Sequence, residues 1–399
     1  MLSCMEETPE LLALLTLVLA GGATAPRRRL LNTYASAATA LAAGPPVWRA
    51  CGLSAAQQQL LRLPDAAALL HARTWLQHPG HHLLAFSSPD LPPQLLLAPS
   101  PPLALFVDGD PLALWQPSVA IVGSRRPTHC GRDNARLFAG ELAHRGICVA
   151  SGLAEGVDAI AHEAALDVPG GKTVAIVGTG PDRFYPSHHA ALQRRIAERS
   201  AVVSEHPPGT GPRASHFPAR NRLLASLSVA TLVVEAAHRS GALITARHAG
   251  EAGRAVCALP GSIHNPMARG CHRLLREGAL LVTCVDELLE DAGMVALAVG
   301  EAIQRRLDAG APENTAAGGE PAGVDTRGAT LEGASPATTT NAASRETQLI
   351  LAALGDGPED LDTLALRTGL SAAALSSRLV TMELQHLVAG QFGRYCRRR

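Results

Sequence analysis

From Val119 onward, short β-branched runs alternate with amphipathic stretches, the pattern of successive βαβ units and of a parallel sheet covered by helices. The runs predict strands at Val119–Val122, Ile147–Ala150, Thr173–Val177, Ala201–Ser204, Ala230–Glu235 and Ala255–Ala258, with a further candidate at Leu280–Thr283. Ahead of this block, Leu11 to about Arg73 reads as short helices broken at Gly21-Gly22 and Gly44-Pro45-Pro46, and a proline-rich connection runs from Pro79 to Leu114. Behind it, Arg306 to Asn341 turns to Ala, Gly, Thr, Pro and Glu, a composition that buries too little surface to order itself and predicts a linker. Periodic helices resume at Glu346–Leu354, Leu361–Arg367 and Ala372–Leu387, before a strand-like tail ending in Arg397-Arg398-Arg399. That order fits a small winged helix, whose third helix would offer Arg378 beside Glu383. The expected fold class is α/β. A helical module spans residues 1–75, an extended Rossmann-like parallel sheet 76–292, a linker 293–344 and a winged-helix-like module 345–399.

Ligands of such sheets bind outside the carboxyl ends of the strands. There the sequence places Gly123-Ser124-Arg125, Ser151 to Gly156, Gly178-Thr179-Gly180, Glu205-His206-Pro207-Pro208, Glu235-Ala236-Ala237 and Pro260-Gly261-Ser262. Gly123-Ser124-Arg125 lies between a strand and the helix-compatible stretch Gly131–Arg145. Backbone N–H groups, a hydroxyl and a guanidinium would face one point at a helix N-terminus, which favours a phosphate. The later glycines of a dinucleotide fingerprint are missing, and an arginine there suits an exposed phosphate held by both its nitrogens. His216 to Arg222 sets Arg220 and Arg222 around Asn221 at the start of a helix running to about Ser228, where charge and dipole both favour an anion. Ser240 is placed as the cap of a further helix, with Gly241 beside it and Thr245 one turn in. Phe217 could stack on a base, and an aromatic beside a proline also reads as core.

Composition narrows the function classes. With 399 residues and 47% apolar content the chain can bury a substantial core in two or three domains. Aromatics at 3% argue against the broad stacking sheet of an RNA-recognition motif. A formal net charge of zero argues against coating nucleic acid by bulk positive field, so any such site is local. Lys172 is the one lysine, and arginine supplies the remaining cations. The eight cysteines form no C-x-x-C pair and no zinc spacing with histidine, and neither a metal nor a cofactor is expected. The apolar run Leu11–Ala20 is too short to span a bilayer and follows Glu6, Glu7 and Glu10, so a cytoplasmic protein without membrane attachment is expected.

Gly123-Ser124-Arg125, Ser151-Gly152-Leu153-Ala154 with Gly156 and Asp158, Phe217-Pro218 with Arg220-Asn221-Arg222, Ser240-Gly241 with Thr245-Ala246, and Pro260-Gly261-Ser262 with Gly270 and Gly278-Ala279 follow one another in a recognisable order and spacing. From about Leu83 to Leu289 the chain thereby resembles the DprA/Smf family of DNA-processing proteins. The resemblance implies a Rossmann-like domain that binds single-stranded DNA, forms a homodimer and helps load the recombinase RecA onto incoming strands during natural transformation. It also implies a helix-hairpin-helix module at the front, although Gly21-Gly-Ala-Thr-Ala25 departs from the usual G-x-G hairpin. The expected site holds phosphates on Gly123, Ser124, Arg125, Arg220, Asn221 and Arg222, with Phe217, Ser240, Gly241 and Thr245 completing it and no catalytic residue. Some relatives carry a basic residue after the Tyr-Pro of the third strand loop, where this chain has Ser187-His188-His189, which could make binding pH-dependent. The alternative is a nucleotide phosphoribohydrolase on a similar core, with Glu155, Asp158, Glu205 or Glu235 as its carboxylate. Against it, Glu235-Ala-Ala-His-Arg-Ser-Gly241 replaces the P-G-G-x-G-T-x-x-E loop of those enzymes.

Overall fold

The computed structural model describes residues 8–34 and 36–293, then 296, 300 and 301, and a subset of 347–397. Of the linker expected at 293–344, residues 293, 296, 300 and 301 are described and are helical; the rest of it, Arg378, Glu383 and the last two arginines lie outside the described residues, as do parts of the helices expected at Glu346–Leu354 and Ala372–Leu387. The described residues up to 301 belong to one compact unit and those from 347 to a second.

The first unit opens with six helices, α1 (Pro9–Leu19), α2 (Thr24–Thr33), α3 (Ala37–Ala42), α4 (Gly44–Ala50), α5 (Ala55–Arg62) and α6 (Ala66–Leu76). Gly21 and Gly22 turn the chain between α1 and α2 at φ of 60° and 67°. Buried Arg27 closes that turn, because its guanidinium donates to the carbonyls of Leu17, Val18 and Gly22 left open at the end of α1. Two strands follow, β1 (His81–Ala85) and β2 (Ala104–Gly109), with α7 (Pro93–Leu96) between them. They fall in the stretch expected to be a plain connection. The helical module does not stand apart, since its core of Leu14, Leu15, Leu17 and Leu30 is continuous with Leu83, Ala104 and Phe106 on this hairpin.

The main elements that follow are β3 (Ser118–Val122), α8 (His129–His144), β4 (Cys148–Ser151), α9 (Val157–Asp167), β5 (Thr173–Val177), α10 (Ala190–Arg199), β6 (Ala201–Ser204), α11 (His216–Leu227), β7 (Ala230–Val233), α12 (Ala242–Glu251), β8 (Ala255–Ala258), α13 (Arg269–Arg276) and β9 (Leu280–Leu281), after which residues 285–293 are helical. The nine strands form one sheet in the order β1-β2-β6-β5-β4-β3-β7-β8-β9, parallel except at β1–β2 and β2–β6. Along β3, Ala120 and Val122 pack under α11 and α12 while Val119 and Ile121 pack under α8 and α9, so an unbroken apolar run is buried on both faces. From β3 the chain proceeds to β4, β5 and β6 on one side and returns to β7 on the other. A crevice therefore opens at the carboxyl ends of β3 and β7. Among the described residues no helix is long and apolar enough to cross a membrane.

In the second unit α14 (Leu361–Thr368) accompanies a three-stranded sheet of β10 (Glu359–Asp360), β11 (Val388–Gln391) and β12 (Arg394–Arg397), in the order β10-β12-β11. Ile350, Leu354, Leu364, Leu375, Leu379, Met382 and Val388 form its core.

Candidate functional site

The turn after β3 is built by close approach. A Cβ on Gly123 would stand 2.7 Å from the Val157 side chain and 3.1 Å from the Glu235 carbonyl, so the turn is seated against α9 and the end of β7. The Val157 N–H donates to the Ser124 carbonyl at 3.1 Å, and Gly156, at φ 81°, lets the two segments cross where a side chain would strike the Ser124 and Arg125 backbone. Ser124 turns inward. Its hydroxyl accepts from the Arg126 N–H at 3.0 Å and lies 3.6 Å from the Met267 sulfur.

The start of α8 is not open to a ligand. Thr128 caps it by accepting from the Gly131 N–H, and the Glu235 carboxylate accepts from the Thr128 N–H at 2.9 Å and the Thr128 hydroxyl at 2.6 Å. Asn265 also donates to Glu235 at 3.1 Å, and a Cβ on Gly131 would fall 2.5 Å from the same carboxylate. The anion expected at this helix N-terminus is the protein's own, because Glu235 leaves β7 two residues earlier than its apolar run predicts.

The expected residues converge instead on a cavity of about 460 Å³ between that turn, the start of α11 and the start of α12. Gly123, Arg125, Phe217, Arg220, Asn221, Gly241 and Thr245 all line it. Arg125 is exposed there and has no hydrogen-bond or ion-pair partner among the described residues. Arg220 forms the floor, 7% exposed, and donates to the Ile176 carbonyl while its Nε has no partner. Its guanidinium lies where a side chain on residue 152 would go, 2.6 Å from a Cβ built on Gly152 to its Cζ. Burial pushes the Arg220 guanidinium down to about 10; Asp158 opposes the fall and the charge of Arg125 adds to it. Asp158, in the first turn of α9, also lines the cavity and accepts from the Ala154 N–H at 3.3 Å. Burial raises its carboxyl above the usual range despite Arg220 and that hydrogen bond. Phe217 meets Tyr185, also on the wall, with ring centroids 5.1 Å apart and planes 38° apart.

Ser124, Arg222 and Ser240 do not line this cavity. Arg222 turns from it, its Nη2 donating to both oxygens of Glu205 at 2.7 and 2.6 Å. Beside that pair His206 stacks on His216 at 3.8 Å, and burial, then the charges of His216, Arg222 and Arg213, pushes the His206 imidazole down to about 4. Ser240 accepts from the Ala242 N–H at 3.3 Å, and the residue capping α12 is Gly241 rather than Ser240. Sequence reasoning did not place Asp158 or Tyr185 in the binding site. Tyr185-Pro186 and the Ser151–Asp158 run carry the only signal, and sheet order rather than spacing brings them to Arg125. Of the four carboxylates an alternative hydrolase would need, Asp158 alone lines the cavity; Glu205 pairs with Arg222, Glu235 caps α8, and Glu155 stands 3.6 Å from His188.

The family model described as DNA recombination-mediator protein A matches residues 82–293, and that described as DprA winged helix domain matches residues 334–394. The chain is similar to Protein Smf of Escherichia coli, 45% identical over 241 residues, which are 60% of this chain and 64% of that protein. It is also similar to Protein Smf of Synechocystis, 36% identical over 334 residues covering 81% of each. Among solved structures, the X-ray structure of DNA processing protein A (DprA) from Streptococcus pneumoniae matches with a TM-score of 0.63 and 33% identity, over 72% of this chain and 99% of that one.

Proposed function

Since the chain belongs to the DprA/Smf family of DNA-processing proteins, we propose that it binds single-stranded DNA in the cavity between β3, α11 and α12, as a binding protein and not as an enzyme. One observation carries this reading: an unpartnered cation, a buried cation and an aromatic pair share one cavity at the crevice of the sheet. A backbone phosphate on Arg125 gains a charge-assisted contact, and it relieves the repulsion between Arg125 and Arg220. Gly123, without a side chain, lets the turn that carries Arg125 sit against α9 and the end of β7, while Asn221, Thr245 and the Gly241 turn supply neutral polar groups around the phosphate. Tyr185 and Phe217 each offer a base an aromatic face, which only an unstacked, single-stranded base can reach. Phosphate contacts carry no sequence information and every base has a π-face, so discrimination among bases is small.

The alternative hydrolase needs a carboxylate free to meet a developing cation. Asp158 is instead the countercharge of Arg220 within the floor. The cellular role that goes with this reading is that of a cytoplasmic protein that receives incoming DNA in transformation, handing its strand to RecA, with a homodimer presenting two cavities to one strand; membership of the family supports it. No cofactor or metal enters this mechanism.

Salt-titrated binding of the full chain to single- and double-stranded DNA of one sequence tests the reading. Tighter binding to the single strand, weakening with salt, is expected. A preference for duplex overturns it, as does release of free base from nucleoside monophosphates by the wild-type protein.

A further inference from the structure

Among the described residues the exposed aromatic side chains are Trp115, Phe184 and Tyr185. Trp115 is engaged, its indole N–H donating to the Asp90 carbonyl at 3.0 Å. The other two are consecutive, and Tyr185 already lines the cavity. Phe184 does not line it. Its ring keeps 37% of its surface open and carries the Arg194 guanidinium over it at 4.6 Å from the centroid. In a chain with six phenylalanines, an exposed one backed by a cation beside a nucleic-acid cavity calls for a ligand.

The loop that presents this ring is fixed. Gln193 of α10 donates to the Pro181 carbonyl at 2.8 Å, and the Thr179 hydroxyl donates to the Arg183 carbonyl at 3.1 Å. Asp182 accepts from the Gly209 N–H at 2.8 Å and meets His71 of α6 at 3.0 Å, which ties the loop both to its neighbour after β6 and to the helical module. Little conformational freedom remains to be lost when something binds.

We propose that Phe184 and Arg194 form a second base-stacking subsite, which takes the nucleobase of the nucleotide next to the one in the cavity as the strand leaves over Tyr185. This rests on the single-strand reading above. The cavity fixes one nucleotide by its phosphate, and the guanidinium–phenyl pair adds a planar, sequence-tolerant platform one residue further along the same loop. A duplex base, stacked and paired, has no free face to offer.

The test titrates the full chain with thymidine 3′,5′-bisphosphate, which fills the cavity alone, and with oligothymidylates of increasing length. Phe184→Ala is expected to weaken the longer strands roughly 5- to 100-fold and to leave the bisphosphate unchanged. An abasic unit beside the bound nucleotide should cost the wild type as much and the variant nothing further. Phe184→Trp retains the platform; its emission should be quenched by long strands and not by the bisphosphate. Equal length dependence in wild type and Phe184→Ala, or no quenching of Phe184→Trp, overturns the subsite. The single-strand reading fails separately, if Arg125→Ala binds every probe as tightly as the wild type.

Discussion

The two flanks of α11 carry arginines from one short motif and treat them in opposite ways. Among the described residues, toward the cavity, Arg220 is buried without a carboxylate in ion-pair contact, and the neighbouring Arg125 has no hydrogen-bond or ion-pair partner. Toward the loop after β6, Arg222 is ion-paired through its Nη2 with both oxygens of Glu205, while its buried Nη1 has no hydrogen-bond partner among the described residues. Glu205 also attracts Arg27 and Arg28 of the helical module, so several cations share its field. An anion-binding site must leave positive charge under-neutralised, whereas a structural pair saturates it. The same residue type two positions apart thus serves a ligand on one flank and the packing of the module on the other.

The largest expected effect breaks the cavity flank outright. Arg220→Ala leaves Asp158 buried without its countercharge and the Ile176 carbonyl without its donor, which should cost roughly 3–5 kcal/mol of stability at neutral pH. Burial raises the Asp158 carboxyl above its unfolded value, so the stability it contributes is present at low pH and lost as pH rises through the folded value. Removing Arg220 raises that value further. The destabilisation should therefore be greatest at neutral pH and shrink toward acid, where Asp158 is protonated and needs no partner. Thermal unfolding of both proteins across that range checks it, and a pH-independent difference would show that Asp158 does not feel Arg220.

How far the comparison was legible in the sequence depends on the range of the interaction. β5, β6 and β8 match their apolar runs residue for residue, because each is a short, largely buried apolar stretch that starts directly after a polar residue, Lys172, Ser200 or Arg254. β1 and β2 were hidden: His81 and His82 begin the first, and Pro101-Pro102 precede the second, so local propensity pointed away from strands that long-range pairing makes. The motif residues were visible as cations and glycines. Their partners were not, since Glu205 lies 17 positions from Arg222 and Glu235 lies 107 from Thr128. Spacing identifies which residues carry charge, and only the fold decides which charges are already spent.

A second prediction sharpens the contrast without unfolding anything. Arg125 is exposed and makes no intramolecular bond among the described residues, so Arg125→Ala should leave stability within about 0.5 kcal/mol of wild type. Loss of its phosphate contact should weaken single-strand binding by roughly 1.5–3 kcal/mol, about equally for all base compositions. The logarithmic dependence of affinity on salt should become shallower by about 0.7, the share of one released counterion. Calorimetric stability together with affinities at several salt concentrations would reveal a purely structural role as lost stability with an unchanged slope.

The smallest effect is expected on the other flank and decides whether the two differ at all. Arg222→Ala should leave the salt slope unchanged, because Glu205 rather than a phosphate holds that guanidinium. Its cost should appear as stability, through a half-buried carboxylate left beside Arg27 and Arg28. Combining it with Arg125→Ala should then give the slope of Arg125→Ala alone. Glu205→Gln supplies the converse: neutralising the carboxylate releases Arg222 while retaining a hydrogen-bond acceptor. If a freed guanidinium there can reach the strand, the slope steepens by up to about 0.7. A slope that drops by the same amount in Arg222→Ala as in Arg125→Ala would erase the distinction, showing that Arg222 abandons Glu205 when the strand arrives and that both flanks of α11 belong to one phosphate track.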